Sequence, residues 1–168
     1  MLAIEKLSKT CSVRRMRASD TGAMLALCVG NPLYYACRGE QAAEEGLLED
    51  LTVTPPGTGL EDKYFIGFYQ GYTLAAIMDL IDGYPAEEYA FIGFFMTDAR
   101  LQGQGFGTRL ISEAEEYLKA AGKKKIRLGI DKGNPQSAHF WKKNGFTVVK
   151  EVQQGTHTIL VAEKPLQE

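Results

Sequence analysis

The densest cluster of glycines in the chain lies in the segment LQGQGFGTRL, residues 101–110, directly before a helical pattern. Gly103, Gly105 and Gly107 alternate there with larger residues. The start of a helix carries roughly half a positive charge, and its first N–H groups lack partners inside the helix. Because glycine has no side chain to block a close approach, this segment could bind a phosphate or pyrophosphate through its backbone. A flexible turn is the alternative interpretation.

Two common nucleotide-binding motifs do not match this segment. The P-loop GxxxxGK[ST] requires a lysine followed by serine or threonine, whereas this chain has Thr108 and Arg109 after the last glycine. In the dinucleotide fingerprint GxGxxG, Thr108 stands where the third glycine belongs. About 20 residues further on, where that fold places a ribose-binding acid, the chain has Lys123, Lys124 and Lys125. The segment therefore predicts an anion site that is neither a P-loop nor a dinucleotide-binding loop.

The elements on either side of the glycines must position them. Three apolar, aromatic-rich runs at 63–69, 72–81 and 88–97 predict consecutive antiparallel strands, with Gln70-Gly71 as the first hairpin turn. An amphipathic pattern predicts a helix over 108–122, and KKIRLGID, 124–131, predicts a strand. The strand–helix–strand unit over 89–131 is a crossover connection, so two of its strands should be parallel.

The rest of the chain extends this sheet. SVRRMR, 12–17, predicts a first strand, and helical patterns follow at 21–30 and 39–51, separated by the break Asn31-Pro32. Asn134 and Pro135 are typical of the start of a helix over 134–145, and two last strands at 146–152 and 156–164 predict a hairpin. The predicted order is β-α-α-β-β-β-α-β-α-β-β, a mixed α/β sheet in a single domain over 1–168 with its core at about 12–164.

Composition narrows the class of protein. The chain has 168 residues, 45% of them hydrophobic, which is typical of a globular domain with its own core. The net charge of -2 argues against a nucleic-acid partner, and no apolar run has the roughly 20 residues of a membrane span. The N-terminal residues do not have the pattern of a signal peptide. Three cysteines without CxxC spacing predict neither a disulfide framework nor a metal site, and favour a cytoplasmic protein.

Two motifs together resemble those of one enzyme superfamily. The pattern Gln102-x-x-Gly105-x-Gly107 closes a strand and opens a helix, and NPQSAHFWKKNGF follows at 134–146. They are similar to the Q/R-x-x-G-x-G/A and N-x-x-A-x-x-F-Y-x-K-x-G-F motifs of the GCN5-related N-acetyltransferase (GNAT) superfamily. The order of elements matches nearly throughout. The resemblance implies the acyl-CoA N-acyltransferase fold with a splayed central strand pair, acetyl-CoA as cosubstrate, and no metal.

The resemblance also implies which residues bind CoA. In the family, backbone N–H groups of the glycine loop bind the pyrophosphate, the end of the preceding strand pairs with the pantetheine amides and polarises the thioester carbonyl, and an asparagine and apolar residues contact the CoA arm. The corresponding residues here are Phe95, Met96, Thr97, Gln102, Gly103, Gln104, Gly105, Phe106, Gly107, Thr108, Asn134, Phe140 and Trp141. Arg109 is a candidate for the 3′-phosphate. The lysine run at 123–125 is another, although such a run is more often a solvated turn.

This chain departs from the family at the catalytic acid. A tyrosine proposed to protonate the departing thiolate is replaced by Trp141, whose indole N–H is not a usable acid. Three alternatives remain: the thiolate leaves unassisted, a tyrosine such as Tyr34, Tyr35 or Tyr84 serves, or Trp141 only positions the cofactor. A glutamate base of some family members would align near Phe91, so a water relay could replace it.

The resemblance implies that the acceptor amine enters from the face opposite CoA, near the first two helices, the turn after residue 81 and the final hairpin. Carboxylates there could hold a cationic amine, and aromatic rings could line its pocket. The candidates are Tyr34, Tyr35, Asp79, Asp82, Tyr84, Glu87 and Glu88. Asp79 is unusual, because it interrupts an apolar run and must either face solvent or line a pocket.

Two hypotheses of different classes follow. The first is an enzyme that transfers an acetyl group from acetyl-CoA to a primary amine of a small molecule, peptide or protein, by direct attack in a ternary complex. The second is a catalytically weak CoA-binding sensor or interaction module of the same fold. Neither a nucleic acid nor a membrane is an expected partner, and a monomer or a homodimer is compatible with the family.

Overall fold

Seven strands form one mixed sheet in the computed structural model, which describes residues 1–166, and the strand order is β1-β2-β3-β4-β5-β7-β6. The strands are β1 Ser12–Arg15, β2 Lys63–Gln70, β3 Thr73–Asp82, β4 Tyr89–Thr97, β5 Lys125–Asp131, β6 Thr147–Gln154 and β7 His157–Pro165. The helices are α1 Thr21–Val29, α2 Pro32–Ala36, α3 Glu44–Asp50, α4 Phe106–Ala120 and α5 Pro135–Lys143. All neighbouring strands are antiparallel except β4 and β5, as the crossover predicts.

The two faces of the sheet carry separate apolar clusters. Ile66 of β2 packs in one cluster with Leu110 of α4, whereas the next residue along β2, Phe65, packs in the other. This second cluster includes Met24 of α1 and Leu47 of α3. Successive side chains of a strand point to opposite faces, so α4 covers one face of the sheet and α1 and α3 cover the other.

The central strands β4 and β5 are joined only at one end. They pair in parallel from Tyr89 with Lys125 to Ile92 with Leu128, and no further. Beyond this point β4 continues to Thr97 beside β3 alone, while β5 remains paired with β7. The splayed pair is therefore confirmed, and every second backbone N–H and C=O over 93–97 points into the gap.

The region before β2 differs from the sequence prediction. Three helices occur there instead of two, because Pro32 ends α1 and also starts the short helix α2 at a first-turn position that needs no N–H. The helix predicted over 39–51 is shorter, covering Glu44–Asp50. The hairpin turn lies at Gly71-Tyr72, one residue later than predicted, since Gln70 still pairs with Thr73.

The two helices that flank the gap begin close to where the sequence predicts. Helix α4 starts at Phe106, two residues earlier than expected, and Gly105 before it has a φ of 78°. The side chain of Asn134 caps α5, as predicted, by accepting a hydrogen bond from the backbone N–H of Ser137 at 3.1 Å. Within the described chain, no helix is both long and apolar enough to cross a membrane.

Candidate active site

A cleft of about 410 Å³ opens where β4 and β5 separate. Its walls are the end of β4 and the N-terminal turns of α4 and α5. The residues that the resemblance assigns to CoA line it with one exception: Phe95, Met96, Thr97, Gln102, Gly103, Gly105, Phe106, Gly107, Thr108, Asn134, Phe140 and Trp141. The exception is Gln104, whose exposed side chain instead donates to the carbonyl of Arg100 at 2.9 Å. We refer to this space as the donor cleft.

The glycine loop presents backbone N–H groups to the donor cleft. Gly103 and Gly105 have φ values of 73° and 78°, in the left-handed region that favours glycine. The first helical hydrogen bond of α4 runs from the N–H of Arg109 to the carbonyl of Gly105 at 3.0 Å. The N–H groups of residues 106–108 therefore precede the helical ladder and are available to an anion.

Gly107 allows close packing for a different reason. A Cβ atom at this position would lie 3.2 Å from Cε1 of Phe140 and 3.5 Å from Cγ2 of Thr97. The first turn of α4 can therefore lie close to both α5 and the end of β4 because residue 107 has no side chain.

The side chain of the motif glutamine, Gln102, holds the glycine loop in place through hydrogen bonds. The Nε2 atom of Gln102 donates to Oδ1 of Asn31 and to the carbonyl of Thr97. Asn31 in turn donates through Nδ2 to the same carbonyl of Thr97 at 3.1 Å and to that of Leu27 at 3.0 Å. This network ties the loop to the end of β4 and to the end of α1. Sequence reasoning missed Asn31, which was interpreted only as part of a helix break.

A second cavity, of about 440 Å³, meets the donor cleft at Tyr34, Gly93 and Phe94. We refer to it as the acceptor cavity. Its apolar wall includes several aromatic rings, and two carboxylates, Asp50 and Asp79, also line it. A third space of about 380 Å³ toward the β6–β7 hairpin is also lined by Tyr34 and Gly93. The remaining aromatic residues of the acceptor cavity are Phe65, Tyr84 and Phe91.

Asp79 forms a buried ion pair at the edge of this junction. The Nζ atom of Lys63 donates to Oδ2 of Asp79 at 2.8 Å, and the two residues are 3% and 9% exposed. Burial raises the pKa of the Asp79 carboxyl, and Lys63 opposes this effect. The other oxygen, Oδ1, is buried and has no hydrogen-bond partner within residues 1–166. Of the two arrangements that the sequence allowed for Asp79, a pocket-lining position is therefore observed.

Gly93 separates Asp79 from the donor cleft. The register between β3 and β4 shifts at this point, since Asp79 faces Phe94 but the next residue, Leu80, faces Ile92. A Cβ atom on Gly93 would lie 2.9 Å from Oδ2 of Asp79. The carboxylate therefore lies directly beside the backbone that both cavities share.

Comparison with known proteins gives the family of the chain. A sequence model of the acetyltransferase (GNAT) family matches residues 32–146. The chain belongs to the GNAT family. Acetyltransferase activity that depends on acetyl-CoA is supported at the level of this family. A relative from Methanocaldococcus jannaschii, named as an uncharacterized N-acetyltransferase, is 31% identical over 98 residues. The match covers 56% of this chain and 43% of the relative, so it spans less than half of that protein.

Solved structures show the same fold. An acetyltransferase from Thermus thermophilus aligns with a TM-score of 0.74 and 21% identity, covering 93% of this chain and 97% of that chain. The PaiA N-acetyltransferase of Thermoplasma acidophilum, solved in complex with coenzyme A, aligns with a TM-score of 0.65 and 19% identity, covering 92% and 98%. The predicted GNAT fold is thus confirmed.

Within this GNAT fold, the tyrosine candidates occupy different places. Tyr34 lines both the donor cleft and the acceptor cavity, and Nη1 of Arg38 donates to its hydroxyl oxygen at 3.2 Å. Burial raises the pKa of Tyr34 to about 12. Tyr35 lies outside the donor cleft, and burial and the neighbouring Cys28 raise its pKa as well. Tyr84 lines the acceptor cavity, where its ring meets that of Phe91 edge-on, with ring centroids 5.1 Å apart.

The other carboxylates predicted to bind the acceptor, Asp82, Glu87 and Glu88, do not line these three spaces. Asp82 is paired with Lys123, whose Nζ also donates to the carbonyl of Glu87 at 2.7 Å. The backbone N–H of Lys124 bonds to the carbonyl of Glu88 at 2.8 Å. This group lies at the paired end of β4 and β5, away from the glycine loop. The lysine run is therefore a helix–strand turn, the interpretation that its sequence context favoured.

The basic residues that line the donor cleft come from α5 instead. They are His139 and Lys143. Arg109 is exposed and lies outside the cleft lining. Sequence reasoning named Arg109 and the lysine run but missed Lys143, although NPQSAHFWKKNGF contains it. Its place on the cleft side of α5 follows from Phe140, three residues earlier on the same face.

Trp141 is a packing residue. It is 6% exposed. The centroid of its ring lies 4.9 Å from the ring centroid of Phe140, 5.1 Å from that of Phe146 and 5.9 Å from that of Phe95. These contacts hold α5 against the end of β4 and leave the indole little freedom.

Replacing Trp141 with phenylalanine is expected to change kcat by less than about threefold. The variant should lose about 1–2 kcal/mol of unfolding free energy, because a smaller ring leaves a space in the aromatic cluster. Steady-state kinetics and thermal denaturation measure the two effects. A loss of several hundredfold in kcat with unchanged CoA affinity would show instead that the indole takes part in catalysis.

Proposed function

We propose that this protein transfers the acetyl group of acetyl-CoA to a primary amine of a small molecule or peptide, by direct attack in a ternary complex. One observation carries the proposal. The donor cleft and the acceptor cavity meet at Tyr34 and Gly93, and the buried carboxylate of Asp79 lies beside that junction. Residues 1–168 would act as one catalytic domain, and a cytoplasmic location stays a prediction.

The donor half of the proposal uses the splayed strands. The backbone N–H groups of residues 103–108 bind the pyrophosphate of acetyl-CoA, and Asn134 and Phe140 contact the arm that follows. The pantetheine amides pair with the unpaired edge of β4 over 93–97. The same edge places an N–H beside the thioester carbonyl, where it stabilises the negative charge that develops on oxygen during attack. Support comes from the placement of these groups around one cleft.

The acceptor half uses Asp79 and Tyr34. The ammonium group of the acceptor binds at the carboxylate of Asp79, which lines the acceptor cavity, and gives a proton to this carboxylate. The neutral amine attacks the thioester carbon, so a C–N bond forms and the C–S bond breaks. The electron pair of that bond leaves with the thiolate. Tyr34 stays protonated at neutral pH because its pKa is about 12, and it gives its proton to the thiolate.

Release of free thiol from acetyl-CoA with a panel of amines tests the proposal. Thiol release that depends on an added amine, together with an N-acetylated product by mass spectrometry, is the expected result. Binding of CoA without turnover on any amine would support the alternative, a CoA-binding sensor or interaction module.

Replacing Tyr34 with phenylalanine is expected to lower kcat about 10- to 100-fold while the affinity for CoA stays within about twofold, since only the proton donor is lost. Tyr35 to phenylalanine is the matched control, because this neighbouring hydroxyl lies outside the donor cleft. Steady-state kinetics and calorimetry measure the two quantities. Equal effects of both substitutions on kcat would contradict a role of Tyr34 as acid.

A further inference from the structure

The acceptor cavity contains a second carboxylate, which the proposed reaction does not use. Asp50 is the last residue of α3, half-buried, and it lines the same 440 Å³ cavity as Asp79. Its side chain forms no hydrogen bond and no ion pair with any residue that the structure describes. Burial raises the pKa of the Asp50 carboxyl, and Lys63 and Arg38 partly oppose this effect. The carboxylate of Asp50 is therefore available to a cationic group of a ligand in this cavity.

The cations near Asp50 are already engaged. Lys63 donates to Asp79 at 2.8 Å. Arg38 lies 3.5 Å from Asp131 and donates to the hydroxyl oxygen of Tyr34. Neither cation forms an ion pair with Asp50.

The surroundings add further negative charge. A smaller space of about 190 Å³ continues the acceptor cavity past Tyr34, Arg38 and Asp50. Its lining adds the exposed carboxylates of Glu40 and Glu49. These two residues add negative charge beside the acceptor cavity, although solvent weakens their individual effect.

Apolar side chains occupy the wall that the two carboxylates share. Phe65 and Phe94 stack with ring centroids 6.4 Å apart, and Val53 and Pro55 line the same cavity. This wall suits methylene groups, whereas Asp50 and Asp79 suit cations. Aromatic faces also attract the polarised CH₂ groups next to an ammonium. The acceptor cavity therefore combines two carboxylates, Asp50 and Asp79, with an apolar wall.

Building on the proposed function, we propose that the acceptor is a short alkyl diamine, a chain with a primary ammonium at each end. One ammonium binds at Asp79, beside Gly93 and the thioester, and is acetylated. The other binds at Asp50 and positions the chain. The unpartnered Oδ1 of Asp79, buried at the wall of the cavity, and the unpaired Asp50 are the two observations behind this assignment.

Two acceptors of equal length test the inference. 1,4-Diaminobutane and n-pentylamine differ only in a terminal ammonium against a methyl group. We expect kcat/KM to be about 10- to 100-fold higher for the diamine, the effect of one charged hydrogen bond in a partly buried site. Asp50→Asn should bring the two values to within about threefold of each other. Glu45→Gln, an exposed residue on the same helix outside these cavities, is the matched control and should preserve the difference.

Calorimetry with the CoA complex gives a readout that does not depend on turnover. 1,4-Diaminobutane should bind about tenfold more weakly to Asp50→Asn than to the parent protein. Equal kcat/KM for the two amines in the parent protein would overturn the inference and leave the proposed acetyl transfer intact, as would equal losses with both amines in Asp50→Asn. Absence of thiol release with every amine would overturn both.

Discussion

Replacing Gly105 with glutamate is expected to weaken the binding of CoA by at least about 100-fold. Gly105 precedes the first turn of α4, and a Cβ atom there meets nothing within 4 Å, so a longer side chain extends into the space above the loop. Its carboxylate would take the place of the pyrophosphate at the N–H groups of residues 106–108 and repel the phosphate charges. Isothermal titration calorimetry with CoA measures the effect.

A control must separate this charge effect from backbone strain. Gly105 has a φ of 78°, where a residue with a side chain costs about 1–3 kcal/mol. Gly122 at the other end of α4 has a φ of 93° and is equally open, so Gly122→Glu imposes a comparable strain away from the donor cleft. That variant should lose similar thermal stability and still bind CoA. Unchanged CoA affinity in Gly105→Glu would show that the glycine loop is not the anion site.

Replacing Asp79 with asparagine is expected to lower kcat/KM for the amine by about 10²- to 10⁴-fold, the usual contribution of a positioned base. The affinity for CoA should not change, since Asp79 lies outside the donor-cleft lining. In the parent protein, activity should also fall as the pH is lowered through the raised pKa of this carboxyl, because only the ionised form accepts the proton. Amine-dependent thiol release over a range of pH measures both effects.

The buried partner of Asp79 makes a second variant necessary. Removing the carboxylate leaves Lys63 charged and unpaired at 3% exposure, which costs about 3–5 kcal/mol of unfolding free energy. Replacing the pair together, with Lys63→Met and Asp79→Leu, removes both charges and should restore most of the thermal stability. Activity should stay low in this double variant. Recovery of activity together with stability would mean that Asp79 only supports the fold.

The donor half of the site could be predicted from the sequence because its determinants are local. The glycine loop and the N-cap of α5 each depend on residues a few positions apart, and Gly105 and Asn134 lie where the sequence places them. The contact of each predicted residue with CoA stays a prediction. Helix α2 was missed because a proline that ends one helix also suits the first turn of another, and sequence alone does not distinguish the two.

The acceptor half depends on contacts between distant segments. Lys63 and Asp79 are 16 positions apart and meet because β2 pairs with β3 in a register set by the turn at Gly71-Tyr72 and by a register shift at Phe68/Tyr69. The turn alone would place Lys63 opposite Leu80, and only the register shift makes Lys63 and Asp79 diagonal neighbours on one face. The turn and the bulge together are the signal that could have found the pair. Asp50 had no comparable signal. Its position depends on how α3 packs on the sheet, and a helical pattern with several acids indicates only an exposed face.

The gap between β4 and β5 leaves the sheet one strand short over residues 93–97. In most proteins an unpaired strand edge of this kind lies at the rim of a sheet, where it risks pairing with another chain. Here it lies in the middle, between two strands of the same molecule, where a second protein has no room to approach. A slender extended ligand with amide groups can supply the missing hydrogen bonds. For such a ligand, binding also completes the sheet, and the free energy of unfolding rises with the logarithm of the ligand concentration once this exceeds Kd.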